Sequence, residues 1–192
     1  MARTLFFIKE FIKNPVGVAA VAPSSRALAN MMIDGVRFEP GDTVVEFGPG
    51  TGSFTKLLAG LTEQGVNYLG IERNPAFLET LRADYPNLTF VEGSAEDVAK
   101  HVAEHRLKAP KAIVSGLPLA AMPAEVRNKI VEETNAVLAP GGVFRQFSYV
   151  HYYVSSGATA LRTQMKSLFQ KFELSKPVFW NVPPAFVYCG TT

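Results

Sequence analysis

Glu46, Gly48, Gly50 and Gly52 form the densest group of residues in this chain that could do chemistry. They close an apolar, β-branched run, Thr43-Val44-Val45-Glu46-Phe47, which reads as a buried strand; a helical segment from Ser53 to Leu61 follows. Glycine at alternate positions lets a backbone turn sharply and approach a ligand with no Cβ in the way. The free N–H groups opening the next helix then face whatever lies over the turn. A strand, a glycine loop and a helix in that order make a nucleotide site. A dinucleotide fingerprint, G-x-G-x-x-G, needs glycine at position 53, which is Ser53 here; the third glycine comes one step earlier, at Gly52. Glu72 is the second chemical group. It ends the run Asn67-Tyr-Leu-Gly-Ile-Glu72 at the distance where a βαβ unit places an acid for two ribose hydroxyls, with Arg73 beside it.

The elements that must position these groups follow from the hydrophobic pattern. Leu88 to Val91 reads as a third strand, leading into the loop Glu92 to Asp97 with Ser94 and Ala95. Lys111 to Ser115 is a fourth, leading into Gly116-Leu117-Pro118-Leu119. Val143 to Tyr149 is a fifth, followed by His151, Tyr152 and Tyr153; Lys171–Phe179 and Ala185–Cys189 make the final pair. Helices are expected over Arg26–Ile33, from Asn74-Pro75 to Tyr85, over Ala124–Leu138 and over Ala158–Phe169. The alternation predicts a mostly parallel sheet with one antiparallel partner, and ligands beyond the carboxyl ends of its strands.

With 192 residues the chain has room for one α/β domain with a full core. Its 19 Lys and Arg against 17 Asp and Glu argue against a surface that grips nucleic acid throughout. The single Cys189 excludes an internal disulfide and a cysteine-based zinc site, so no metal is expected, and it suits a reducing cytosol. Near the start, Leu5, Phe7, Ile8, Phe11 and Ile12 share one helical arc, while Lys9 and Lys13 lie opposite. Such a helix can lie in a lipid interface or pack on the domain; its terminal position, outside the sheet core, favours the interface. Residues 1–33 are therefore read as N-terminal helices, membrane contact and cofactor lid, ahead of a domain at 34–192 that holds the nucleotide site. Ser24 or Ser25 can cap the helix at Arg26, either as a cap alone or also facing the carboxylate end of a cofactor.

The pattern Glu46-x-Gly48-x-Gly50-x-Gly52 resembles the first motif of class I S-adenosylmethionine (SAM) methyltransferases. That resemblance implies a Rossmann-like class I methyltransferase fold, with a mostly parallel seven-stranded sheet and helices on both faces. Five blocks are more specific: Ala22-Pro-Ser-Ser25, Glu46 to Gly52, Ser115-Gly-Leu-Pro-Leu119, Gln146-Phe-Ser-Tyr149 and Asn181-Val-Pro-Pro-Ala185. In that order, and over nearly the whole chain, they resemble the bacterial phospholipid N-methyltransferases. The family implies methyl transfer from SAM to the amine of phosphatidylethanolamine, up to three times, at the cytoplasmic membrane face, by a peripheral protein. Ornithine-lipid methylating enzymes share much of the pattern. Ribosomal RNA adenine dimethyltransferases carry an aromatic where Leu119 stands, so an RNA substrate is the less favoured enzyme reading. A SAM-binding membrane regulator without activity is the non-enzymatic one. Ser94 stands where such folds often have Asp, and Val150-His-Tyr-Tyr-Val154 departs from the Gly/Pro-rich continuation of the family.

By this resemblance SAM meets Ser24, Ser25, Glu46, Gly48, Gly50, Gly52, Glu72, Arg73, Ser94, Ala95, Ser115 and Gly116. The carbonyls of Ser115 to Leu117 accept from the amine, and Tyr149 and His151 are candidates to move its proton, His151 equally readable as a structural histidine. Gln146 and Asn181 orient the amine or bind glycerophosphate, and Arg145 pairs with lipid phosphate or is simply solvated. Phe147, Tyr149, Tyr152, Tyr153 and Trp180 offer ring faces to a methylated ammonium. The partners expected are a membrane lipid surface and an amine phospholipid, with no nucleic acid and a monomeric chain.

Overall fold

A computed structural model describes residues 25–181 and 183–192. The expected membrane helix with Leu5, Phe7, Ile8, Lys9, Phe11, Ile12 and Lys13, and the call on Ser24, lie outside the described residues.

The order of elements is α1 (Arg26–Ile33), β1 (Thr43–Phe47), α2 (Thr55–Thr62), β2 (Asn67–Glu72), α3 (Pro75–Asp84), β3 (Thr89–Glu92), α4 (Val98–Glu104), β4 (Ala112–Ser115), α5 (Ala124–Val137), β5 (Val143–Tyr149), α6 (Ser156–Leu168), β6 (Lys171–Leu174) and β7 (Ala185–Thr191). Short 3-10 turns cover Ala95–Asp97, Leu119–Ala121 and Val150–Tyr152. The seven strands line up as β3-β2-β1-β4-β5-β7-β6, with β7 antiparallel to both neighbours and every other pairing parallel. This is the Rossmann-like methyltransferase sheet that the sequence predicts.

Side chains alternate across the pleat, so each strand feeds two cores. Val44, Tyr68, Phe147 and Val187 meet Leu28, Met32, Leu58, Leu78 and Leu81 on the face of α1, α2 and α3. Val45, Leu69, Ile113 and Phe144 meet Val98, Val102, Ile130, Leu161 and Met165 on the face of α4, α5 and α6. β1 is buried along its whole length, as a central parallel strand covered on both faces must be. Helix starts follow local chemistry. Ser25 caps α1 by accepting from the Leu28 N–H at 3.2 Å. Asn74 caps α3 ahead of Pro75, and Ser155 caps α6.

Several boundaries differ from expectation. α2 begins at Thr55 rather than Ser53, because the glycine loop still turns there, the Gly52 N–H meeting the Pro49 carbonyl at 2.9 Å. β3 begins one residue late, since the Leu88 N–H closes a turn onto Tyr85. β6 stops at Leu174: Pro177 has no N–H for a ladder, and Val178 rejoins through a single bridge to Ala185. α4, only seven residues long, buries Val98, His101 and Val102 at helical spacing and is an element the sequence reading did not assign. Helix α1 puts Leu28, Ala29 and Met32 into the same core as β1, β4, β5 and β7.

Candidate active site

The strand order reverses between β1 and β4, and there the two connections touch. Gly48 lies at φ +62°, and a Cβ on it would stand 2.7 Å from Leu117. A Cβ on Gly116 would stand 2.7 Å from the Gly48 carbonyl oxygen. Glycine at both positions is what lets the two loops close on one another. Gly50, at φ +56°, has only its own loop's Gly48 oxygen near its missing Cβ, at 3.8 Å, so the crest of the turn is open for a ligand.

Two carboxylates hold this turn. Glu72 accepts from the Gly50 N–H at 3.0 Å through Oε2, and from the N–H groups of Arg73 and Asn74 at 2.8 and 2.9 Å through Oε1. Burial pushes its carboxyl above the ordinary range, while those backbone donors pull the other way. Glu72 thus ties the end of β2 to the glycine crest, and the Arg73 contribution at this point is its backbone N–H.

Glu46 corrects an expectation. It is 0% exposed and cannot stand at the outer face of the loop as a ligand contact. It braces the turn from beneath: Oε2 accepts from Thr55 Oγ1 at 2.8 Å, at the head of α2, and from the Tyr68 hydroxyl at 2.6 Å, on β2. Desolvation pushes its carboxyl up to about 7, against the lowering effect of those two donors, and Tyr68 is pushed well above its ordinary value by burial and by Glu46. Oε1 is buried without a hydrogen-bond partner. Tyr68 reaches Glu46 because Gly70 leaves room: a Cβ there would stand 2.7 Å from the Tyr68 hydroxyl and from Phe90. Tyr68 and Thr55 are functional residues that the sequence reading missed. The available signal was a phenol in a buried strand two residues before a glycine that pairs in register with Glu46.

Other assigned residues have structural partners instead. Gln146 is 1% exposed, and its Nε2 donates to the Leu117 carbonyl at 2.9 Å and to its own neighbour Phe147. From inside, it fixes the Ser115–Leu119 loop and takes one acceptor position of the Leu117 carbonyl assigned to the amine. Ser115 is also enclosed, its hydroxyl accepting from the Leu117 N–H at 3.3 Å. Arg145, expected at a lipid phosphate, has a partner within the fold. It lies on β5 below the carboxyl edge and donates to the Asp34 carbonyl at 2.8 Å, capping the far end of α1. Asn181, 3% exposed, accepts from the Ser25 N–H at 2.8 Å and donates to the Pro183 carbonyl at 2.7 Å. It clamps the β6–β7 connection to the start of α1. Ser94 caps its own 3-10 turn, accepting from the Glu96 N–H and donating to the Glu96 carboxylate, with Ala95 buried behind it.

A line of rings leaves the glycine loop along the carboxyl edge. Phe54 meets Phe147 edge-on at 5.7 Å, Phe147 meets Tyr149 at 5.5 Å, Tyr149 stacks on His151 at 5.7 Å and His151 lies 4.5 Å from Tyr152. Phe147 and Tyr149 are buried, His151 and Tyr152 exposed. Burial and Tyr152 push the Tyr149 hydroxyl above its ordinary value, which keeps it a proton donor. Tyr153 leaves this line. The Arg162 guanidinium lies 4.0 Å over its ring, where a substrate cation was expected, and Phe186 meets its edge. Leu119 is fully buried in the core and offers no ring to a base.

The donor set fits SAM. An open turn of left-handed glycines suits its carboxylate and sugar, and Glu72 suits its ribose. Among the described residues no cluster of three or more His, Cys, Asp or Glu could hold a metal.

A seven-stranded sheet in this order, with a glycine loop at the switch point and an acid closing β2, defines a class I SAM-dependent methyltransferase. The chain belongs to the methyltransferase-domain family, whose model matches residues 44–142. It is similar to the ornithine lipid N-methyltransferase of Singulisphaera acidiphila, 32% identical over 145 residues that cover 74% of this chain and 76% of that one. It is also similar to ribosomal RNA small subunit methyltransferase A of Chlorobium phaeobacteroides, 25% identical over 60% of this chain and 41% of that one. Among solved structures, a SAM-dependent O-methyltransferase from Thermotoga maritima superposes with a TM-score of 0.67 at 14% identity, over 95% of this chain and 71% of that one. Precorrin-6y C5,15-methyltransferase from Geobacter metallireducens gives 0.66 at 15%, over 88% and 89%. At these identities the two structures share the fold.

Proposed function

We propose that this methyltransferase acts on the amine of a lipid headgroup at a membrane surface, with the δ-amine of an ornithine lipid as the leading substrate and phosphatidylethanolamine as the second. The observation that carries this reading is the similarity to an ornithine lipid N-methyltransferase across about three quarters of both chains. The same reading makes the chain a peripheral protein of the cytoplasmic membrane face; among the described residues no helix is long and apolar enough to cross a membrane.

When bound, SAM supplies a methyl group on a sulfonium. The chain's part is to hold both partners in line, the main lever in such a displacement. Gly48, Gly50 and Gly52 give the donor a close backbone seat, Glu72 accepts from its sugar, and the loops at Ser94–Ala95 and Ser115–Gly116 flank it. An alkylammonium with a pKa near that of lysine must first lose a proton, at a cost of roughly 4 kcal/mol at pH 7. His151 is exposed and held between the rings of Tyr149 and Tyr152, which supports a role for its imidazole in taking that proton. As methyl groups replace N–H donors, the faces of His151 and Tyr152 gain weight over hydrogen bonds.

The test offers the full chain SAM carrying a labelled methyl group, with vesicles containing ornithine lipid, vesicles containing phosphatidylethanolamine, and bulk ribosomal RNA. Label is expected in the lipid amine, ornithine lipid ahead. Label in RNA alone, or in no acceptor while SAM still binds, overturns the proposal.

A further inference from the structure

Among the described residues most large apolar side chains are buried, and the strongest exceptions gather in two places in the chain. Trp180 is 89% exposed, Phe179 71% and Val154 86%. Phe179 and Trp180 lie in the β6–β7 connection, and Val154 follows β5. The two connections are laced together at the carboxyl edge of the sheet: the Val150 N–H meets the Pro184 carbonyl at 2.9 Å, and Tyr149 pairs with Ala185. The exposed pair is framed by anchored residues. Val178 is buried and bridges to Ala185, and Asn181 is clamped to Ser25 and Pro183. Two aromatic rings are therefore held outward by buried neighbours on both sides, at the edge where His151 and Tyr152 stand exposed.

The charge pattern indicates what covers them. Residues 150–155 and 175–184 contain no Asp or Glu, while His151 and Lys176 lie within them. Exposed aromatic surface without carboxylates, carrying a cation, suits the headgroup layer of an anionic membrane, where tryptophan rings settle by preference. We infer that the loop Phe179–Trp180, with Val154 of the adjoining connection, inserts into the lipid interface and sets the ring-lined edge of the site against the headgroups. This deepens the lipid reading above and rests on it. The inserted loop is separate from the N-terminal segment expected to contact membrane.

Trp180 is the only tryptophan of the chain, so its emission reports this loop alone. The full chain is mixed with vesicles of phosphatidylethanolamine and phosphatidylglycerol. The emission is expected to shift to the blue and to be quenched by lipids brominated in their acyl chains. The double variant Phe179→Ser, Trp180→Ser should partition roughly tenfold more weakly, because interfacial binding scales with the apolar area inserted. Its affinity for SAM, read by calorimetry, should match the parent and shows that it is folded. Water-like emission from vesicle-bound protein overturns the inference, as does unchanged partitioning of the double variant. A dimer in sedimentation that the double variant dissolves, with no response to vesicles, assigns the surface to a second copy and also overturns it. A chain that methylates lipid amines while Trp180 stays in water defeats the loop alone; insertion without any lipid methylation defeats the headgroup reading and leaves the loop standing.

Discussion

Glu46 shows how one residue type can be read correctly for its place and wrongly for its contact. Its position before three alternate glycines marks the site, but its carboxylate serves two other elements of the protein through Thr55 and Tyr68. Its carboxyl titrates near 7 in the fold against an ordinary value of 4.5. A folded value raised above the unfolded one favours folding fully only below the unfolded value, and the benefit is lost as pH rises through the folded one. Ionising Glu46 therefore costs the ligand-free protein roughly 3 kcal/mol by neutral pH, at about 1.36 kcal/mol per pH unit. Glu46→Gln keeps an acceptor for Tyr68 and Thr55 without the charge. Between about pH 5 and about pH 8 its melting temperature should stay nearly level while the parent's declines. Parallel melting curves across that range would show that Glu46 is not the group responsible.

At the scale of elements, close approach decides what the site becomes. Helix α6 begins against the 3-10 turn Leu119–Ala121, where a Cβ on Gly157 would stand 1.9 Å from the Ala120 carbonyl oxygen. That contact fixes the start of α6, directly after the segment 150–155 that carries His151 and Tyr152. Gly157→Ala forces backbone apart and should lower stability by about 1–3 kcal/mol in denaturant titration, as overpacking does elsewhere. Methyl transfer should weaken with it, since the ring line shifts relative to the loop. A variant with unchanged midpoint would mean that the turn yields freely.

For the molecule as a whole, the carboxyl ends of β1, β2, β3, β4 and β5 and the start of β7 all open on one edge. A donor seated there touches connections that are distant in sequence, so its binding should report on the whole sheet. SAM at about 100 times its Kd adds about 2.7 kcal/mol if only the folded chain binds it. For a chain of this size that raises Tm by roughly 5–10 °C in differential scanning. No rise at any SAM concentration would remove the donor site from this edge.

Fold and donor loop were legible because both are written locally. β-Branched runs closed by Glu46 and Glu72, alternate glycines, Ser25 and Asn74 before helical segments, and the regular spacing of strands need no knowledge of distant partners. The acceptor side was not legible in the same way. Arg145, Gln146, Tyr153 and Asn181 have the polar or aromatic character of substrate contacts. Whether such a group faces a ligand or a backbone carbonyl depends on which face of which strand packs against it. Gln146 met Leu117, Arg145 met Asp34 and Asn181 met Ser25, each across a long separation in sequence, and Tyr153 met Arg162 on the helix that follows it. The sequence by itself determined the sheet, the glycine turn and the acid at its flank, since those follow from periodicity and backbone freedom. Only the tertiary structure decided which polar side chains remain for a substrate, because burial drives most enclosed donors and acceptors to find a partner within the fold.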